Sequence, residues 1–82
     1  AMHMALSIVL SSAPSNDLKV FLSKVKQKDF VSFAERKVGK DRVSVQEAYH
    51  IVEAYLSHDP AIASSFNNIE MQRWMRICKA MP

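Results

Sequence analysis

Residues 43–56 read VSVQEAYHIVEAYL. Ser44 stands three residues before Glu47, the spacing of a capping box, in which each side chain satisfies a backbone N–H at a helix start. Val43 and Ala48 flank that cap at the positions of a hydrophobic staple. Further on, Ala48, Ile51, Val52 and Tyr55 recur at i, i+3, i+4 and i+7, and Val45 and Leu56 widen the stripe. Gln46, His50, Glu53 and Ser57 fall on or near the other side. The stretch predicts an amphipathic helix with an apolar face broad enough for several neighbours, and the rest of the chain reads as packing around it.

Working upstream, Gly39 is the only glycine and falls where a helix C-terminus favours a left-handed residue. Before it, Phe30, Phe33, Ala34 and Val38 form an apolar stripe, with Asp29 placed to cap that helix. Leu18, Phe21, Leu22 and Val25 give the same i, i+3, i+4, i+7 pattern and predict a helix over 17–27, with N-cap candidates in Ser15-Asn16-Asp17. The segment 5–13 is too short for periodicity to separate strand from helix; with no partner strand evident, a short helix closed by Pro14 is the better reading. Downstream, Asp59-Pro60 is an N-cap followed by proline at the first helical position, so a short helix from 60 to about 66 follows. Asn67 with Glu70 offers another cap, and Met71, Trp74, Met75 and Cys78 mark the inner face of a last helix. The fold class predicted is all-α: one domain over residues 5–82, a bundle of five or six short helices. Ala1 to Met4 read as residues added at a cloning junction.

Composition agrees with that class. At 82 residues and 49% hydrophobic, the chain suits one small domain with a marginal core, and a single glycine does not suit a turn-rich β-fold. The lone cysteine excludes an internal disulfide and favours a reducing, intracellular compartment. No apolar run approaches the length of a membrane span or a signal-peptide core.

Charge is the informative feature. Between residues 19 and 42 stand eight basic side chains, Lys19, Lys24, Lys26, Lys28, Arg36, Lys37, Lys40 and Arg42, against three acidic ones. Residues 43–70 hold no lysine or arginine and four carboxylates, and Arg73, Arg76 and Lys79 then return the sign to positive, for a net charge of +3. Those last three share the side of the final helix opposite Met71, Trp74, Met75 and Cys78. Such clusters either keep a small domain soluble or attract an acidic partner. The Met- and Trp-containing stripe of the last helix fits core packing best, and a groove for a partner second. Cys78, on the same face, reads as a small buried hydrophobe. His50 and His58 belong to no metal-ligand spacing, no nucleophile motif is present, and neither metal nor cofactor is expected; the chain does not read as an enzyme. Direct nucleic-acid binding is the alternative function: the basic balance favours it. Against it, the basic stretch lacks interleaved aromatics for stacking, and the helix after Gly39 presents Glu47 and Glu53 where a phosphate backbone would lie.

The run DLKVFLSKVKQKDFVSFAERKVGKDRVSVQEAYHIVEAYLSHDP, residues 17–60, followed by MQRWMRICKAMP, residues 71–82, resembles the C-terminal nucleocapsid-binding domain of rhabdovirus phosphoproteins, those of plant cytorhabdoviruses in particular. The resemblance implies a module that attaches a viral polymerase cofactor to the nucleoprotein–RNA template. Its implied partner is nucleoprotein, engaged through a flexible acidic segment and without reading RNA bases. Contacts with the polymerase are implied for other regions of such a protein, and host cytoplasm and virion as its locations. On the charge map, Lys19 to Arg42 is the expected partner-binding region, with Arg73, Arg76 and Lys79 as a second basic patch.

Overall fold

The computed structural model describes residues 4–39 and 42–81. Its elements are α1 (Met4–Ser12), α2 (Ser15–Lys24), α3 (Gln27–Val38), α4 (Val45–His58), α5 (Pro60–Ser65) and α6 (Asn68–Ala80). The fold is all-α, measuring 32 × 25 × 18 Å, and α4 is its hub. Helices α1, α3, α5 and α6 all pack on α4, α1 also meets α3, and α2 packs against α6.

The helix starts show why α4, α5 and α6 begin where they do. Ser44 Oγ accepts from Glu47 N at 3.0 Å, while the Glu47 carboxylate accepts from Ser44 N at 3.0 Å. Asn67 and Glu70 repeat the arrangement at 2.8 and 2.9 Å. Asp59 accepts from Ala61 N at 2.8 Å, with Pro60 at the first helical position. Each cap satisfies donors that the helix itself leaves orphaned, worth about 1 kcal/mol apiece. At the other end of α3, Gly39 takes φ 64° and ψ 21°, the left-handed closure expected of it, and its N–H donates to Glu35 O.

Two starts differ from the sequence expectation. Neither Asp17 nor Asp29 is a cap. Helix α2 starts behind Pro14 and α3 behind Lys26, neither of which makes a side-chain cap bond, so both carboxylates fall in the first turn instead. There they still favour the positive end of the helix. Helix α2 also stops short of residue 27: Val25 takes extended angles, φ −120° and ψ 130°, which lets its side chain turn into the core. A continued helix could not make the corner into α3.

The core is aromatic on one side and aliphatic on the other. A file of rings runs from Trp74 to Phe21 (5.2 Å between centroids), Phe30 (5.5 Å), Tyr55 (5.4 Å) and Phe33 (5.1 Å), joining α6, α2, α3 and α4. Most of these contacts are edge-on, the geometry that ring quadrupoles prefer. Across α4, Ala5, Leu6 and Val9 of α1 are buried, as are Tyr49, Val52 and Leu56 of α4. Full burial of such a side chain contributes about 1.5–3 kcal/mol. Tyr49 lies outside the stripe read from the sequence; it is fully buried and its hydroxyl meets Ser12 Oγ at 2.8 Å, so α1 covers a wider arc of α4 than the stripe implied. Val45, a turn before that contact, stays 42% exposed, and Leu18 and Leu22 are only half-buried.

Candidate binding surface

Within the basic run from Lys19 to Arg42, Lys24, Arg36 and Lys37 border three different parts of the surface. Lys24 is engaged within the molecule: its ammonium donates to Ser65 O at 2.6 Å, pairs with Glu70 at 3.1 Å and sits 5.6 Å from the Phe66 ring centroid. It clamps the end of α2 to the α5–α6 corner. Arg36 and Lys37, adjacent in the last turn of α3, diverge. Arg36 borders a notch of about 360 Å³ shared with Asp29, Ser32, Tyr55, His58 and Asp59. Lys37 borders a groove of about 240 Å³ between α3 and α4, with Val38, Glu47, His50, Ile51 and Ala54. Lys19, Lys26, Lys28 and Arg42 are exposed. Lys40 lies outside the described residues.

The notch is electrostatically mixed. Burial first, then the nearby charges of Asp29 and Asp59, raise the pKa of the Tyr55 hydroxyl above its ordinary value. Two carboxylates close enough to do this offset Arg36 for any anionic partner. Glu47 opposes Lys37 across the α3–α4 groove in the same way. Glu70, by contrast, is held below the usual carboxylate range, first by the Asn67 backbone N–H and then by Lys24.

Helix α6 arranges its three cations differently. Arg73 turns toward α2, where its Nε lies 3.3 Å from a carboxylate oxygen of Asp17, a side chain 12% exposed. Arg76 and Lys79 take part in no ion pair among the described residues. With Met71, Gln72 and Met75 they line a groove of about 410 Å³ along the flank of the helix. The stripe read from the sequence as one inner face is therefore split: Trp74 and Cys78 are buried, whereas Met71 and Met75 are half-buried and share the groove with Arg76 and Lys79 instead of lying opposite them. One turn before it, Ile69 is 69% exposed, an apolar surface residue that no sequence pattern singled out.

Groups that could carry chemistry are dispersed. His50 faces the α3–α4 groove, and the His58 ring stacks on Phe33 at 4.9 Å. Burial, reinforced by Glu53, pushes the Cys78 thiol up to about 12, so almost no thiolate forms near neutral pH. Among the described residues no cluster of three or more His, Cys, Asp or Glu could hold a metal ion, and no helix is long and apolar enough to cross a membrane. No family model matches the chain, and no curated protein or solved structure is significantly similar to it.

Proposed function

We propose that this chain is a non-catalytic protein-binding module, the part of a rhabdovirus-type phosphoprotein that attaches a viral polymerase cofactor to the nucleoprotein–RNA template. Its basic surface engages an acidic flexible segment of nucleoprotein in the host cytoplasm and the virion. The observation that carries this reading is the free pair Arg76 and Lys79 beside an apolar floor, on a helix seated by Trp74 and Cys78. Exposed lysines at 19, 26 and 28 add a wider positive field. Such a field steers and orients an acidic segment, while the ordering cost of that segment keeps binding moderate and reversible. A polymerase cofactor that must let go of and rebind a template needs that reversibility.

The test is retention of assembled nucleoprotein–RNA and of naked RNA by the immobilised chain, side by side and over a range of salt. The adaptor reading expects stronger retention of nucleoprotein–RNA, weakening as salt screens exposed charges over about 8–10 Å. Equal retention of naked RNA, with a steep logarithmic salt slope, would replace it with direct nucleic-acid binding.

A further inference from the structure

We infer that the groove on the flank of α6 is a pocket for a single large apolar side chain of the acidic partner segment, with Met71 and Met75 as its floor and Arg76 and Lys79 as clamps for the flanking carboxylates. This rests on the reading that the partner is an acidic segment of nucleoprotein, and adds what that segment must carry besides charge.

Of three depressions that border basic residues among the described residues, the one on α6 fits such an occupant best. The α3–α4 groove includes Glu47 and the α3–α4–α5 notch includes Asp29 and Asp59, so each brings fixed negative charge against an acidic chain. Among the described residues lining the α6 groove there is no carboxylate. Its volume, about 410 Å³, is the largest of the three. Met71 and Met75 are one turn apart, so their side chains lie side by side along the helix, about 6 Å apart in rise. Methionine is unbranched and polarisable, and re-shapes around a leucine, methionine or phenylalanine at little cost. Arg76 and Lys79 stand on the solvent side of that floor. The Arg76 guanidinium can take a carboxylate through two parallel hydrogen bonds, and Lys79 serves as a point charge for a second. A partner with acidic residues on both sides of one apolar residue satisfies all four side chains at once.

The probes are nucleoprotein–RNA itself and two synthetic Asp/Glu-rich peptides of equal charge, one with a central leucine and its twin with alanine. The leucine peptide should bind about tenfold more tightly, the worth of about 1.4 kcal/mol from partial burial of that side chain. Amide shifts in the unaltered chain should move at residues 71–79 and not at Lys26 or Lys28. Lys79→Glu, an exposed change that leaves the melting profile in place, should weaken both peptides alike. Met75→Ala should abolish the preference for leucine while retaining the salt dependence. Equal affinity for the two peptides, or shifts centred on α2 and α3, with nucleoprotein–RNA still retained, would overturn the groove and leave the adaptor reading standing. Failure of the unaltered chain to retain nucleoprotein–RNA overturns the adaptor reading instead.

Discussion

The chain carries its positive charge in two places, and they behave differently. The run over α2 and α3 holds more of it, yet Lys24, Arg36 and Lys37 go respectively to α6, to the α3–α4–α5 notch and to the α3–α4 groove. The three cations of α6 are fewer but spaced three residues apart, so they stay on one side of a single helix. Even there Arg73 is taken by Asp17, leaving Arg76 and Lys79 to face solvent together. Density of charge along a sequence is thus a poor guide to density in space when helices turn corners between the charges. Spacing within one helix is a better one.

The comparison breaks most decisively at Trp74, which seats α6 against Phe21. Trp74→Ala should lower stability by about 3–5 kcal/mol in urea denaturation. A loss under about 1 kcal/mol would mean that α6 is not anchored as described. Next in size is the contrast within the α2–α3 run. Lys24→Ala removes bonds to Ser65 and Glu70 and should cost about 1 kcal/mol. Lys28→Ala, an exposed change, should stay within about 0.5 kcal/mol. Equal effects would erase the distinction between a clamp and a free cation.

Smaller still is the Asp17–Arg73 pair. Asp17→Asn should cost about 0.5–1 kcal/mol, and in a double-mutant cycle with Arg73→Ala the two losses should fall short of additive. Strict additivity would free Arg73 to join Arg76 and Lys79. The finest test is pH. A carboxylate whose folded pKa is depressed contributes stability above its unfolded value, about 4.3, and loses it as pH falls through the folded value. Glu70 is such a group. Glu70→Gln keeps the capping box but not the charge beside Lys24. Its stability deficit should therefore be present near pH 7 and close on acidification below the usual carboxylate range. A deficit that does not change with pH would remove Lys24–Glu70 from the electrostatic account.

What the sequence told plainly was local. The Ser44–Glu47 and Asn67–Glu70 boxes, Asp59-Pro60 and Gly39 each act within four residues, and each stands where its spacing put it. Asp17 and Asp29 carried equally good local signals, yet both helices start three residues earlier: α2 directly behind Pro14, and α3 directly behind the corner at which Val25 gives up helical geometry and buries its side chain. That trade is invisible without the core it serves. The same holds for the site: Arg76 and Lys79 could be placed on one helix side from spacing, but the loss of Lys24 and Arg73 to partners on other helices could not. Met71 and Met75 shared a stripe with Trp74, and only the position of the neighbouring helices separates floor from core.

The file of rings has a further consequence, for the order in which the molecule is made. Phe21 leaves the ribosome about fifty residues before Trp74, which at about 5–20 residues per second is an interval of about 3–10 s. Until α6 arrives, Phe21 can pack on Phe30, and Phe30 on Tyr55, but Phe21 lacks the Trp74 ring. For those seconds one side of Phe21 goes without its partner ring, and the last helix is the latch that completes the file.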